Sequence, residues 1–256
     1  MADADNTILH QVEGSVARIT LNRPEKRNAL NEALIAGIKL ALQNASDDAA
    51  VRVVVISGAG PDFCSGADLA SLQKIAEGSV AENVADARSL MDLFMLMRQI
   101  QIPVVAAVRG KALAGGCGLA SACDLVLASA NAQFGYPEVR IGFVPAMVMA
   151  ILRRNVSEKR AFELLTRGVE IGAQEAKEFG LVNQVFSEDT FESDVTAYAR
   201  EFEKMSKSAI ALTKTLLHQT DGMAFRNTLE TGVDVNVIAR LTEDCQKGIA
   251  RFLKKE

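Results

Sequence analysis

Two short apolar runs set the tightest limit on how this chain can fold. VRVVVI at 51–56 and VVAAV at 104–108 are dense in Cβ-branched residues and read as strands. Each empties into a glycine-containing loop that leads toward a helix: SGAGPDFCSGADL after the first, RGKALAGGCGLA after the second. VARITL at 16–21 alternates apolar and polar residues, as a strand does, and Pro24 marks the loop that follows. Residues 31–44 carry Leu34, Ile38, Ala41 and Leu42 at helical spacing behind Asn31. Residues 70–88 are polar and alanine-rich without a stable period, the pattern of a mobile segment. Residues 89–100 read as a helix, 115–123 as a short helix and 125–128 as a strand. Beyond Ser157 the chain reads as helices at 157–167, 173–179, 189–206, 208–219 and 225–253, interrupted by one strand at 181–185. Strands and helices alternate through two thirds of the chain and helix fills the rest, which means α/β with a helical C-terminal region. No composition break falls near residue ~190. The expected division is therefore a core over 1–190 and a helical extension over 191–256.

Composition removes several function classes. The 256 residues carry a net charge of −4 with no long block of one sign, which disfavours a nucleic-acid surface. No apolar run reaches the ~18 residues of a membrane span, so no membrane partner is expected. The start, MADADNTILHQ, is polar and acidic, unlike a signal or transit peptide, and the expected location is cytoplasmic. Cys64, Cys117, Cys123 and Cys245 form no CxxC, and His10 and His218 are the two histidines, so no metal site is expected. The cysteines read as small buried thiols.

The chemistry sits in the two glycine loops. Backbone N–H groups at a helix N-terminus are unpaired and lie at the positive end of its dipole. Glycine lets a ligand approach such a backbone. Two N–H groups converging on one point would make an oxyanion hole; plain glycine-rich turns would look the same by spacing. Phosphate-binding alternatives fail on the residues. A GxGxxG starting at Gly58 meets Phe63 where its last glycine belongs, and a P-loop starting at Gly110 meets Gly116 and Cys117 in place of Lys and Ser/Thr.

Four stretches, LNRPEKRNAL, DFCSGADL, AGGCGLASACDLVLAS and AQFGYPEVRIGFVP, stand in order and at the separations that resemble the enoyl-CoA hydratase/isomerase (crotonase) family. The likeness runs from about Gly14 to the C-terminal FLKK. It implies a crotonase-type spiral of β-β-α units, a helical C-terminal trimerisation region, homotrimers or homohexamers, and an acyl-CoA substrate. Coenzyme A would arrive as part of that substrate, with no separate cofactor. It further implies that the backbone N–H groups of Ala67 and Gly115 hold the thioester oxygen. Lys26, Arg27, Asp68 and Leu69 match the stretch that cradles the CoA adenine. Phe252 and Lys255 match C-terminal residues that reach a neighbouring subunit's CoA.

Hydratases of that family usually carry two glutamates that hold one water. The second maps to Glu138 in FGYPE, where partial burial would raise its pKa. The first maps to position 118, which is Gly118. Downstream, a glycine-rich stretch is replaced by VPAMVMAILRR, whose Met147 fits either a greasy acyl pocket or core packing. Members resembling methylglutaconyl-CoA hydratases share Gly-Leu at 118–119 and Pro-Ala at 145–146. Three activities stay open: hydration of a 2-enoyl-CoA by a single glutamate, enoyl-CoA isomerisation with the same glutamate as proton shuttle, and acyl-CoA binding without turnover. Other enolate chemistry, such as decarboxylation or C–C cleavage, is a further possibility.

Overall fold

The computed structural model describes residues 7–254. β1 (Ile8–Glu13) and β2 (Val16–Leu21) form a hairpin whose two-residue connection opens on Gly14 at φ +64°, a value that favours glycine. β1 is the one strand in this region that the polar N-terminus did not announce; its side chains are largely exposed and pairing with β2 holds it. After α1 (Glu32–Asp47), β3 (Val53–Gly58) adds parallel to β2. α1 starts where Asn31 accepts the Leu34 N–H.

The alanine-rich stretch at 70–88 is helical, contrary to the expectation of a mobile segment. It forms α2 (Leu69–Glu77) and the first half of α3 (Val80–Gln99). Capping takes the place of an apolar stripe here. Asp68 accepts the Ala70 N–H, and Ser79 and Glu82 form a reciprocal capping box.

β4 (Val104–Val108), β5 (Lys111–Leu113) and α4 (Gly115–Ala122) make one turn of a spiral. β6 (Leu125–Ser129), β7 (Gln133–Gly135), a 3₁₀ turn at Pro137–Ile141 and α5 (Ala146–Asn155) make the next. α6 (Glu158–Arg167), β8 (Glu170–Gly172), α7 (Ala173–Glu178), β9 (Gln184–Phe186) and α8 (Phe191–Arg200) follow. The larger sheet has the order β1-β2-β3-β4-β6-β9, and the smaller β5-β7-β8. β3, β4 and β6 are parallel neighbours buried on both faces, which explains their unbroken apolar runs. One face packs on α1, α3, α4 and α5; the other meets Phe191, Val195 and Ala199 of α8.

The C-terminal region is α9 (Lys207–Gln219), α10 (Phe225–Leu241) and α11 (Glu243–Leu253). The helix expected over 225–253 is broken at Thr242, whose hydroxyl accepts the Cys245 N–H and starts α11. The helix expected over 189–206 gives way to a 3₁₀ turn at Glu201–Lys204, and the strand expected at 181–185 sits at 184–186. The three-residue strands of the small sheet left no periodicity to read. Cys64, Cys117 and Cys123 are buried thiols; Cys245 is partly buried. Among the described residues, no helix is long and apolar enough to cross a membrane.

Candidate active site

β5 and β7 run parallel with Leu113 opposite Gly135, so the chain leaves both strands at the same end. One exit gives Ala114 and Gly115, the other Tyr136, Pro137 and Glu138. A third segment joins them. Cys64 bridges Ala112 in parallel, donating its N–H to the Lys111 carbonyl and accepting the Leu113 N–H, which carries Gly66 and Ala67 to that end. The topology thus brings together Ala67, Gly115 and Glu138, residues far apart in sequence.

The donors are set by the ladder. Leu30 bridges Ala67 by donating to the Gly66 carbonyl and accepting from the Asp68 N–H. In a parallel bridge the residue between those two groups turns its own N–H away. The Ala67 N–H has no hydrogen-bond acceptor among the described residues. The Gly115 N–H opens α4 and is likewise unpaired among them. The two loops touch: a Cβ on Gly66, which has φ +98°, would stand 2.8 Å from the Ala114 Cβ and 3.7 Å from the Gly115 nitrogen. Gly116 is needed for this contact, because a Cβ there would lie 2.7 Å from both Cβ and Sγ of Cys64. Ala114 holds φ +50° and ψ −125°, a region that glycine adopts freely and alanine rarely.

Arg23 and Asp68 lock the Ala67 loop from the other side. The Arg23 Nη2 donates to Asp68 Oδ2 at 2.6 Å, and Nη1 to the Ala29 carbonyl at 2.6 Å. Burial alone would raise the Asp68 pKa; the Arg23 hydrogen bond and charge, with the Ala70 N–H and Lys26, bring it net below the ordinary value. The Asp68 side chain is therefore committed within the chain, while Leu69 beside it is 83 % exposed. Sequence reading named Asp68 through the family pattern and missed its partner Arg23, although the NRP triplet was in view.

Glu138 sits in the 3₁₀ turn, and its Oε2 is buried without a hydrogen-bond partner among the described residues. Desolvation raises its pKa. Its charge also acts on Cys117 in the first turn of α4, whose thiol burial pushes up to about 11. Below the site, Tyr136 is fully buried, with its hydroxyl 3.0 Å from Ser121 Oγ, which in turn donates to the Cys117 carbonyl at 2.6 Å. This chain of hydrogen bonds ties Tyr136, which leads into the turn bearing Glu138, to α4.

No side chain opposes Glu138 from position 118. The Val148 side chain of α5 occupies the space a Cβ on Gly118 would need, with Phe94 Cζ of α3 at 3.6 Å. Met147 is partly buried and packs against the core, and Val148 is the residue over Gly118. Lys26 and Arg27 are exposed at the loop beside Ser65, whose N–H donates to the Arg27 carbonyl. Phe252 is 70 % exposed near the end of α11. Lys255 lies outside the described residues.

Two unpaired backbone donors at the end of the small sheet that also carries Glu138, one carboxyl oxygen of which is buried and unpartnered, are an arrangement that can serve enolate chemistry. The family described as enoyl-CoA hydratase/isomerase matches residues 11–256. This chain belongs to the enoyl-CoA hydratase/isomerase family. A Thermus thermophilus protein provisionally named an enoyl-CoA hydratase is 42 % identical over 96 % of the chain and 97 % of its own length. The Escherichia coli 2,3-dehydroadipyl-CoA hydratase is 36 % identical over 94 % of the chain and 92 % of its length. The crystal structure of an enoyl-CoA hydratase from Mycobacterium smegmatis superposes with a TM-score of 0.93 at 29 % identity, covering 98 % of both chains. Like that relative, the chain has the crotonase fold.

Proposed function

We propose that this protein is an enoyl-CoA hydratase that works with one carboxyl group. The observation that carries the reading is the buried, unpartnered Glu138 oxygen at the same end of the small sheet as the unpaired Ala67 and Gly115 N–H groups. The thioester carbonyl oxygen would accept both N–H groups. Glu138 takes a proton from water as the water oxygen bonds to the β-carbon. The electron pair of the double bond moves to the thioester oxygen as an enolate, which the two N–H groups stabilise. Glu138 then returns the proton to the α-carbon, and the net change is addition of water. Each backbone donor is worth ~10²–10³ in rate at sites of this kind. The steps call on no metal and no redox cofactor.

The apolar roof over Gly118 favours a second reading. With Val148 and Phe94 in place of a second acid, Glu138 can also remove an α-proton from a 3-enoyl-CoA and deliver it to the γ-carbon, which is isomerisation. Incubation with crotonyl-, 3-hexenoyl- and 3-methylglutaconyl-CoA separates the two. Loss of conjugated-thioester absorbance marks hydration, and its gain from the 3-enoyl substrate marks isomerisation. No change with any of the three would leave acyl-CoA binding without turnover.

The same reading gives Lys26, Arg27, Leu69 and the backbone at Asp68 to the nucleotide end of the substrate. α10 and α11 leave Phe225, Leu229, Val233, Val237, Leu241 and Phe252 exposed, an apolar face that a second and third copy of the chain would cover. Sedimentation at micromolar concentration is expected to give a trimer or hexamer; a monomer would overturn this part of the reading.

A further inference from the structure

Asn28 is fully buried in the loop between β2 and α1, and none of the steps above uses it. Its backbone is left-handed at φ +53°, as is that of Arg27 at φ +47°; asparagine enters that region more readily than most residues. The side chain makes three hydrogen bonds. Oδ1 accepts the Arg23 N–H at 2.9 Å, which closes the loop on itself. Nδ2 donates to the Ala59 carbonyl at 2.9 Å and to the Asp62 carbonyl at 2.8 Å, which joins the loop to the segment after β3. Gly58 leaves room for this, since a Cβ there would stand 2.8 Å from Nδ2. Each joined segment leads to an unpaired donor. The Arg27 carbonyl accepts the Ser65 N–H, and Leu30 brackets Ala67 through the Gly66 carbonyl and the Asp68 N–H. The Leu30 side chain also reaches Gly115, with Cδ1 3.2 Å from where a Cβ on that glycine would be. On the other side, Asp62 Oδ1 accepts the Lys111 N–H at 2.9 Å, and Lys111 opens β5, the strand that delivers Gly115.

We propose that Asn28 is a positioning residue for the oxyanion hole: by clamping residues 27–30 to residues 59–62, its amide sets where the Ala67 and Gly115 N–H groups stand relative to each other. Both donors are main-chain groups, so the placement of their loops aims them. The Cys64–Ala112 bridge fixes the start of the Ala67 loop, and the 27–30 segment fixes its end. The Asn28 amide is the cross-link behind both donors, reaching Ala67 through Arg27 and Leu30 and Gly115 through Asp62 and Lys111. The inference rests on the acyl-CoA reading above and adds a buried residue that acts through the backbone of others.

The test reads the thioester carbonyl itself. Butyryl-CoA labelled with carbon-13 at that position has no double bond to hydrate or shift. N–H donors on its oxygen lower the carbonyl stretch, which difference infrared spectroscopy records on the bound ligand. The unaltered protein is expected to show a band below that of free butyryl-CoA in water. Asn28→Gly keeps the left-handed backbone and removes the amide. Its band is expected to move back toward the free position, and kcat on whichever of crotonyl- or 3-hexenoyl-CoA is turned over to fall by about 10²-fold, the cost of an ångström-scale misplacement, with KM nearly unchanged. Asp62→Ala releases Lys111 while leaving Asn28 in place and is expected to move the band the same way; Asp62→Asn, which keeps an acceptor oxygen, is expected to restore it. This second pair keeps the test decisive if Asn28→Gly does not fold. A lowered melting temperature with the band and kcat of the parent overturns the proposal, because Asn28 then serves the fold alone. A parent band at the free position, or no binding of butyryl-CoA by the parent, overturns the oxyanion-hole reading and the inference with it.

Discussion

Val148 stands in the space that a side chain on Gly118 would fill, its Cβ 3.1 Å from the point where a Gly118 Cβ would be. The pair is complementary: Gly118 has no side chain, and Val148 takes the room one would need. Gly118→Glu alone is therefore expected to be overpacked and to lose about 1–3 kcal/mol of stability, with lower turnover. Gly118→Glu combined with Val148→Gly opens the space and is expected to recover stability and raise hydration of crotonyl-CoA relative to isomerisation of 3-hexenoyl-CoA. Melting temperatures and the two rates, measured on the single and the double variant, decide it. Equal behaviour of the two variants would show that Val148 does not govern the space.

Glu138 makes two opposite contributions. As the base of the proposed mechanism it works when ionised, so kcat/KM is expected to rise with pH through a value above the ordinary glutamate range, because burial raises its pKa. For stability the sign reverses. The folded state holds this proton more tightly than the unfolded chain, so the stabilisation is full below the unfolded value and is lost as pH rises through the folded one. Glu138→Gln is expected to cut turnover by about 10²–10⁴. It is also expected to melt higher than the unaltered protein at pH 8 while losing that advantage at pH 4. Near-normal turnover in this variant would remove Glu138 from the mechanism.

The Arg23–Asp68 pair is nearly buried on both sides, with side chains 14 % and 10 % exposed. Breaking such a pair leaves an uncompensated buried charge, at a typical cost of about 3–5 kcal/mol. Asp68→Asn is expected to lower stability by that order in urea unfolding at pH 7. Since the Asp68 pKa is lowered in the fold, the contribution is present above the unfolded carboxyl value and fades as pH falls through the folded one. The urea midpoints of variant and parent should therefore converge in acid. A midpoint difference that persists unchanged there would mean the pair is not the source.

Ala114 carries backbone strain at φ +50°. A non-glycine residue in such a region costs on the order of 1–3 kcal/mol, and the extra freedom of glycine in the unfolded chain takes back roughly 0.5–1. Ala114→Gly is expected to raise the melting temperature, whereas Ala114→Val, branched at Cβ, is expected to lower it sharply. If the glycine variant melts lower than its parent, the strain is not there.

Much of this was legible in the sequence because the large sheet leaves long apolar runs and the site lies in glycine-rich loops. VRVVVI and VVAAV are strands within a residue or two of where they read, and the α/β order with a helical tail holds. The small sheet was silent, because three residues cannot display a period of two. The α2–α3 stretch misled because its helices are held by caps at Asp68 and Ser79 and by few buried side chains. Around the site, the backbone loops were visible through their glycines. Val148 was not singled out, since nothing in AMVMA says which side chain turns toward Gly118; that depends on how α5 is rotated against α4. The Asn28 amide was not singled out either, since its partners at Ala59 and Asp62 lie in another segment and meet it only in the folded chain.

In the proposed mechanism the groups that receive charge belong to the main chain, at Ala67 and Gly115. A survey that replaces each residue by alanine cannot question position 67, which is already alanine. A broader survey would record the exposed Ala67 as tolerant of most side chains, failing at proline alone. The part of the protein that faces the developing negative charge would thus pass for an indifferent surface position, and mutational tolerance would mark the site only where side chains, such as Glu138, take part.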